Sequence, residues 1–123
     1  MGKKYGDCYE AAVLYMMDHA LGMGVMEPNH DLRLVQGEVA GQGKLEGKTF
    51  GHAWIEDGDI VIDKSNGRDV HMPKFLYYSL GRIDELDNYH VYSPEQVRKK
   101  LIEHNVYGPW DLQGQHPNFA SAG

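Results

Sequence analysis

Cys8, His52 and Asp63 are the residues of this chain whose types, taken together, could perform covalent chemistry. A thiol beside an imidazole that is itself held by a carboxylate is the arrangement for nucleophilic acyl transfer. Cys8 would attack a carbonyl carbon. His52 would take the thiol proton and return it to the leaving group, and Asp63 would fix the imidazole tautomer and stabilise the imidazolium. Each residue also has a bland reading: a small buried hydrophobe, a satisfied core histidine, a turn cap. Their expected positions favour chemistry. A zinc site on the same three residues is a further possibility, but one Cys, one His and one Asp is an unusual ligand set, and no metal or cofactor is expected. His19, His71, His90, His104 and His116 show no ligand spacing.

The element that must position His52 and Asp63 is a hairpin. Two runs of β-formers flank Asp57-Gly58, a dipeptide suited to a two-residue type I′ turn. That turn predicts Glu56 opposite Asp59, Ile55 opposite Ile60, Trp54 opposite Val61, Ala53 opposite Ile62 and His52 opposite Asp63. Directly opposed residues have Cβ atoms about 4.5–5.5 Å apart, close enough for an imidazole–carboxylate hydrogen bond. Alternation places His52, Trp54, Val61 and Asp63 on one face and Ala53, Ile55, Ile60 and Ile62 on the other.

The element that must position Cys8 is a helix from Asp7 to about Leu21, capped by Asp7 with Glu10 at N3 and stopped by Gly22 and Gly24. Its expected inner stripe is Cys8, Ala11, Ala12, Tyr15, Met16 and His19. Cys8 then lies in the first turn, where free N–H groups and the helix dipole favour a thiolate. The Cys8 backbone N–H is one oxyanion donor; Tyr5 and Gln36 are candidates for a second. Trp54 is read as core in preference to a substrate platform, and Asn66 is the alternative to Asp63 for orienting His52.

Further along, Asp31–Val39 reads as a strand with Leu32, Leu34 and Gln36 on one face. Residues 40–49, with Gly41, Gly43 and Gly47, read either as a flap over the site or as a plain hairpin loop. Asn66-Gly67 turns the chain into a short strand, Arg68–Met72. A short helix, Pro73–Leu80, is expected to point Phe75, Leu76 and one of Tyr77 and Tyr78 inward. A strand at Tyr89–Tyr92 precedes a helix capped by Ser93, with Pro94 at N1 and Gln96 at N3, running to about His104 with Val97, Leu101 and Ile102 inward. The order predicts an α+β fold, the N-terminal helix packed on a small antiparallel sheet with a C-terminal helix. Residues 1–112 form one domain and 113–123 a polar, disordered tail.

At 123 residues the chain is long enough for one hydrophobic core without staples. Its net charge of -6 argues against a duplex nucleic-acid partner, since phosphate neutralisation supplies most of that affinity. One cysteine permits no intrachain disulfide, which points to a reducing, cytoplasmic setting. Without an apolar leader or a membrane-length run, no membrane partner is expected.

Gly6-Asp7-Cys8-Tyr9-Glu10-Ala11-Ala12, followed by His52-Ala53-Trp54-Ile55-Glu56 and then Asp63, resembles the papain-like cysteine hydrolase superfamily, and most of all its transglutaminase-like branch, with its G-x-C, H-A-W-V-E and D. The chain as a whole also resembles small phage or bacterial proteins. The first resemblance covers Tyr5 to Asp63. It implies an α+β papain-like core and amide chemistry through a thioester: peptide hydrolysis, glutamine deamidation or transamidation. Two positions depart from papain-like peptidases, which carry a glutamine upstream of the cysteine and a tryptophan after it. No Gln precedes Cys8, and Tyr9 follows it. Two functions are therefore expected in competition: a thiol-dependent peptidase, amidase or acyltransferase acting on a peptide or amide, and a binding module that sequesters a small molecule or partner protein without turnover. Oligomeric state is not legible in these residues.

Overall fold

Strand β1, Arg33–Ala40, is buried along most of its length, and the reason is its place inside a sheet covered on both faces. The computed structural model describes residues 7–22 and 27–113. Helix α1 (Cys8–His19) comes first, then β1, β2 (Thr49–Asp57), β3 (Ile60–Asp63), β4 (Val70–Pro73), α2 (Lys74–Gly81), α3 (Ile83–Leu86), β5 (Tyr89–Tyr92) and α4 (Pro94–His104). The strands form one antiparallel sheet in the order β4-β3-β2-β1-β5. The architecture is α+β.

Two clusters of buried side chains divide the core. On one face Ala12, Val13 and Met16 of α1 pack with Leu34, Ala53, Ile55 and Ile62, joined by Tyr92 and by Val97 of α4. On the other face Val35, Val39, Trp54 and Val61 pack against Tyr78 of α2 and Ile83 of α3. Thus helices cover both faces: the terminal pair and the short helix after β4 are expected from the sequence, and α3 is added to them. Helix α3 is absent from the expectation, being a four-residue segment with no room for periodicity. Among the described residues no helix is long and apolar enough to cross a membrane.

The buried face of α1 is Cys8, Tyr9, Ala12, Val13 and Met16, rotated from the predicted stripe. Ala11, Tyr15 and His19 flank it, Tyr15 and His19 stacked on each other at 4.1 Å between ring centroids. Apolar residues nearly encircle this helix, so its spacing admits two stripes, and contact with the sheet selects between them. Asp7 is the N-cap residue, but its side chain makes no capping bond. At α4 the Ser93–Gln96 capping box forms in full, with Pro94 at the first position. Val97 is buried as expected, whereas Ile102 is 78% exposed.

In α2 the expected orientation is also turned. Phe75 is 75% exposed and Leu76 is exposed, while Tyr78 is buried and Tyr77 half-buried. The tyrosines win the inner face because each hydroxyl reaches a buried carboxylate, Tyr78 that of Glu56 and Tyr77 that of Asp63. Of the segment 40–49, Ala40 and Thr49 pair as the ends of β1 and β2, and residues 41–48 form the hairpin loop between them with a 3-10 turn, Gly43–Leu45. Gln113, where the polar tail is predicted to begin, exchanges hydrogen bonds with Asn88. Residues 114–123 of that tail lie outside the described residues.

Candidate functional site

The β2–β3 hairpin turns one residue later than its sequence predicts. Asp57 pairs with Ile60, Glu56 with Val61 and Ile55 with Ile62, so the loop is Gly58-Asp59. Gly58 has φ 61, and Asp59 is not among the positive-φ residues, the pattern of a type II′ turn with Gly at its first central position. Every opposed pair moves by two positions, which exchanges partners but preserves faces. His52 and Asp63 therefore share a face as diagonal neighbours. Their side chains close the gap, with His52 Nε2 at 2.9 Å from Asp63 Oδ2.

Asp63 is held on all sides. Its Oδ2 also accepts from the Tyr77 hydroxyl at 2.9 Å and from Arg68 Nη2 at 3.5 Å. Its Oδ1 accepts the backbone N–H of Ser65 at 3.0 Å and the Ser65 hydroxyl at 2.6 Å. Burial alone would raise the Asp63 pKa, but the hydrogen bond and charge of His52 and the two bonds from Ser65 outweigh it and hold the carboxyl well below the usual range. An ionised carboxylate only accepts. Hence Nε2–H of His52 donates to it, and the ring nitrogen left for the thiol is Nδ1.

His52 is 4% exposed, and its Nδ1 makes no hydrogen bond of ordinary geometry. The Cys8 thiol lies within hydrogen-bonding reach of the ring and raises its pKa. Burial pushes His52 downward. The hydrogen bonds to Asp63 and Cys8, with the charges of both, prevail and push it up to about 9.

The meeting of Cys8 with His52 needs explanation, because they begin on opposite faces. Cys8 belongs to the α1 cluster, while His52 alternates with Trp54 toward α2. β3 pairs only with Ile55–Asp57 of β2, so at His52 the β3 side of β2 has no strand partner. There the chain forms a 3-10 turn, Ser65–Gly67, instead of a longer strand. The start of α1 docks at this turn: Asn66 N–H donates to Asp7 Oδ1 at 2.7 Å. Asn66 itself is left-handed, φ 54.

The other predicted site residues are distributed as follows. Trp54 is fully buried, stacked near His52 and packed on Tyr77 at 5.2 Å; its indole N–H donates to Glu56. Asn66 serves the docking of α1 through its backbone, and Asp63 orients His52. Gln36 is committed elsewhere. Its Nε2 donates to the Tyr107 carbonyl at 3.1 Å, and its Oε1 accepts from Trp110 N–H at 3.0 Å. Tyr5 lies outside the described residues. Sequence reasoning missed Tyr77 and Arg68. The turn cap offered as the bland reading of Asp63, at Ser65-Asn66, forms at Ser65 alongside the bond to His52; Tyr77 carried no signal.

A cavity of about 310 Å³ opens against this cluster, lined by His52, Asp63, Arg68 and Tyr77 and by Leu45, Phe50, Val70, Met72 and Leu80. Leu45 and Gln42 belong to the glycine-rich loop, which thus forms one wall. A larger hollow of about 1090 Å³ over α2 includes none of Cys8, His52 and Asp63. Among the described residues no group of three or more His, Cys, Asp and Glu side chains is placed to hold a metal ion.

No protein-family model, curated protein or solved structure matches this chain.

Proposed function

We propose that the chain is a thiol-dependent amide hydrolase or acyltransferase acting on a peptide or amide, built on a papain-like, transglutaminase-like core. One observation carries this reading: the His52 imidazole is hydrogen-bonded to the Asp63 carboxylate on one side and lies within reach of the Cys8 thiol on the other. A protonated imidazole beside a sulfur stabilises negative charge on it. In the proposed reaction the Cys8 sulfur attacks the carbonyl carbon, and His52 gives its Nδ1 proton to the departing amine as the C–N bond breaks. The resulting thioester is released by water or a second amine, with neutral His52 taking the incoming proton. The backbone N–H of Cys8, in the first turn of α1, is the oxyanion donor. The one-cysteine composition agrees with a reducing, cytoplasmic setting for such a thiol.

A second reading is favoured by a specific observation. Cys8 is 1% exposed, whereas the neighbouring cavity is open to a ligand. On that reading the same scaffold binds a small molecule without turnover.

Alkylation by iodoacetamide separates the two. Catalytic pairing predicts that native Cys8 reacts faster at neutral pH than a free thiol, and that His52→Ala removes the acceleration. Equal, slow alkylation in both proteins would leave the binding module as the function.

A further inference from the structure

We infer that the cavity beside His52 is the pocket for an uncharged, apolar group of the acyl donor, about the size of a phenylalanine side chain. Naming that group as part of an acyl donor rests on the proposed reaction; the pocket itself rests on its own walls.

Its size comes first. An apolar cavity of roughly 150 Å³ accommodates a benzene. At about 310 Å³ the pocket holds a phenyl ring together with a short neutral linker.

Its chemistry comes from what the polar wall has left to offer. The Tyr77 hydroxyl proton and the His52 Nε2 proton are both given to Asp63 Oδ2. Asp63 Oδ1 is taken by Ser65. Arg68, half-exposed at the mouth, already donates to Ser65 and Asp63. A cationic group entering here would meet the Arg68 guanidinium, and an anionic group could reach that guanidinium only at the half-exposed mouth; a charge seated deeper would lose water at a cost of several kcal/mol. Leu45, Phe50, Met72 and Leu80 offer an apolar group the opposite balance. A group seated there lies against the imidazole that handles the Cys8 proton.

The probe is N-benzylacetamide, a neutral amide carrying a phenyl ring, titrated into the full chain while the His52 ring resonances are followed by NMR. Saturable binding with a shift of those resonances is expected. Leu45→Glu and Met72→Arg should each weaken it by about tenfold or more, the loss of one buried apolar contact surface. Ile102→Arg, on the exposed side of α4, should leave it unchanged. Leu45 sits on the β1–β2 loop, so its variant keeps the test valid even where Met72→Arg disturbs β4. No saturable binding, or binding equal in all variants, overturns the pocket. Such a failure leaves iodoacetamide reactivity untouched, because that reagent needs no pocket. Conversely, an inert Cys8 with intact N-benzylacetamide binding removes the acyl-transfer reading and retains the pocket.

Discussion

The Asp7 carboxylate makes no capping bond to its own helix and instead accepts the backbone N–H of Asn66 at 2.7 Å, three residues beyond Asp63. This bond joins the helix start that carries Cys8 to the turn that follows the His52 partner. Asp7→Ala should destabilise the protein by about 1–2 kcal/mol, the range for a hydrogen bond to a charged acceptor, and should slow Cys8 alkylation. Asp7→Asn keeps an acceptor oxygen and should restore most of the alkylation rate. Thermal melts and alkylation kinetics on the two variants check this, and an unchanged rate in Asp7→Ala would refute the positioning role.

Removing the Asp63 charge should reverse the balance at His52. In Asp63→Asn the opposing contribution of burial remains while the ion pair is lost, so the His52 pKa should fall from about 9. Breaking one partner of a buried pair should cost about 3 kcal/mol. Tyr77→Phe should act in the other direction on the ring: Asp63 Oδ2 loses a competing donor, its bond to His52 strengthens, and the His52 pKa rises further. NMR titration of the imidazole reads both signs.

Stability should depend on pH from two sides. The folded His52 pKa of about 9 lies above its ordinary 6.5, so its contribution is full below 6.5 and is lost as pH rises through about 9. Asp63 is depressed from 3.8, so its contribution is full above that value and is lost as pH falls below it. Melting temperature should therefore decline on both flanks, and His52→Gln should flatten the alkaline one.

Gln36 should matter for folding and leave the thiol alone. Both ends of its amide hold the segment from Tyr107 to Trp110, and a Cβ at Gly108, where φ is 134, would overlap that amide. Gln36→Leu should lower stability by about 2 kcal/mol through the two orphaned backbone groups, with Cys8 alkylation unchanged. A selective fall in alkylation at full stability would return Gln36 to the oxyanion role.

Parity made the site partly legible in the sequence. The Asp57-Gly58 turn is misplaced by one residue, yet that error moves every pair by two and leaves His52 and Asp63 on one face. The Ser93–Gln96 box was legible because capping is local. What was not legible depends on distant contacts. Phe75 and Leu76 point outward because Tyr77 and Tyr78 find carboxylates on β3 and β2, and nothing within 73–80 encodes those partners. The α1 stripe rotates for the same reason: Val13 fits Leu34 and Ile55 across the chain.

Because Cys8 belongs to one hydrophobic layer and His52 to the other, the reactivity of the sulfur is a gauge of how the layers are seated. Local opening of either layer, well short of global unfolding, separates the pair. Cys8 labelling followed through a denaturant series therefore doubles as a reporter of sub-global opening. It should change at denaturant concentrations where the far-ultraviolet circular dichroism of the helices is still native.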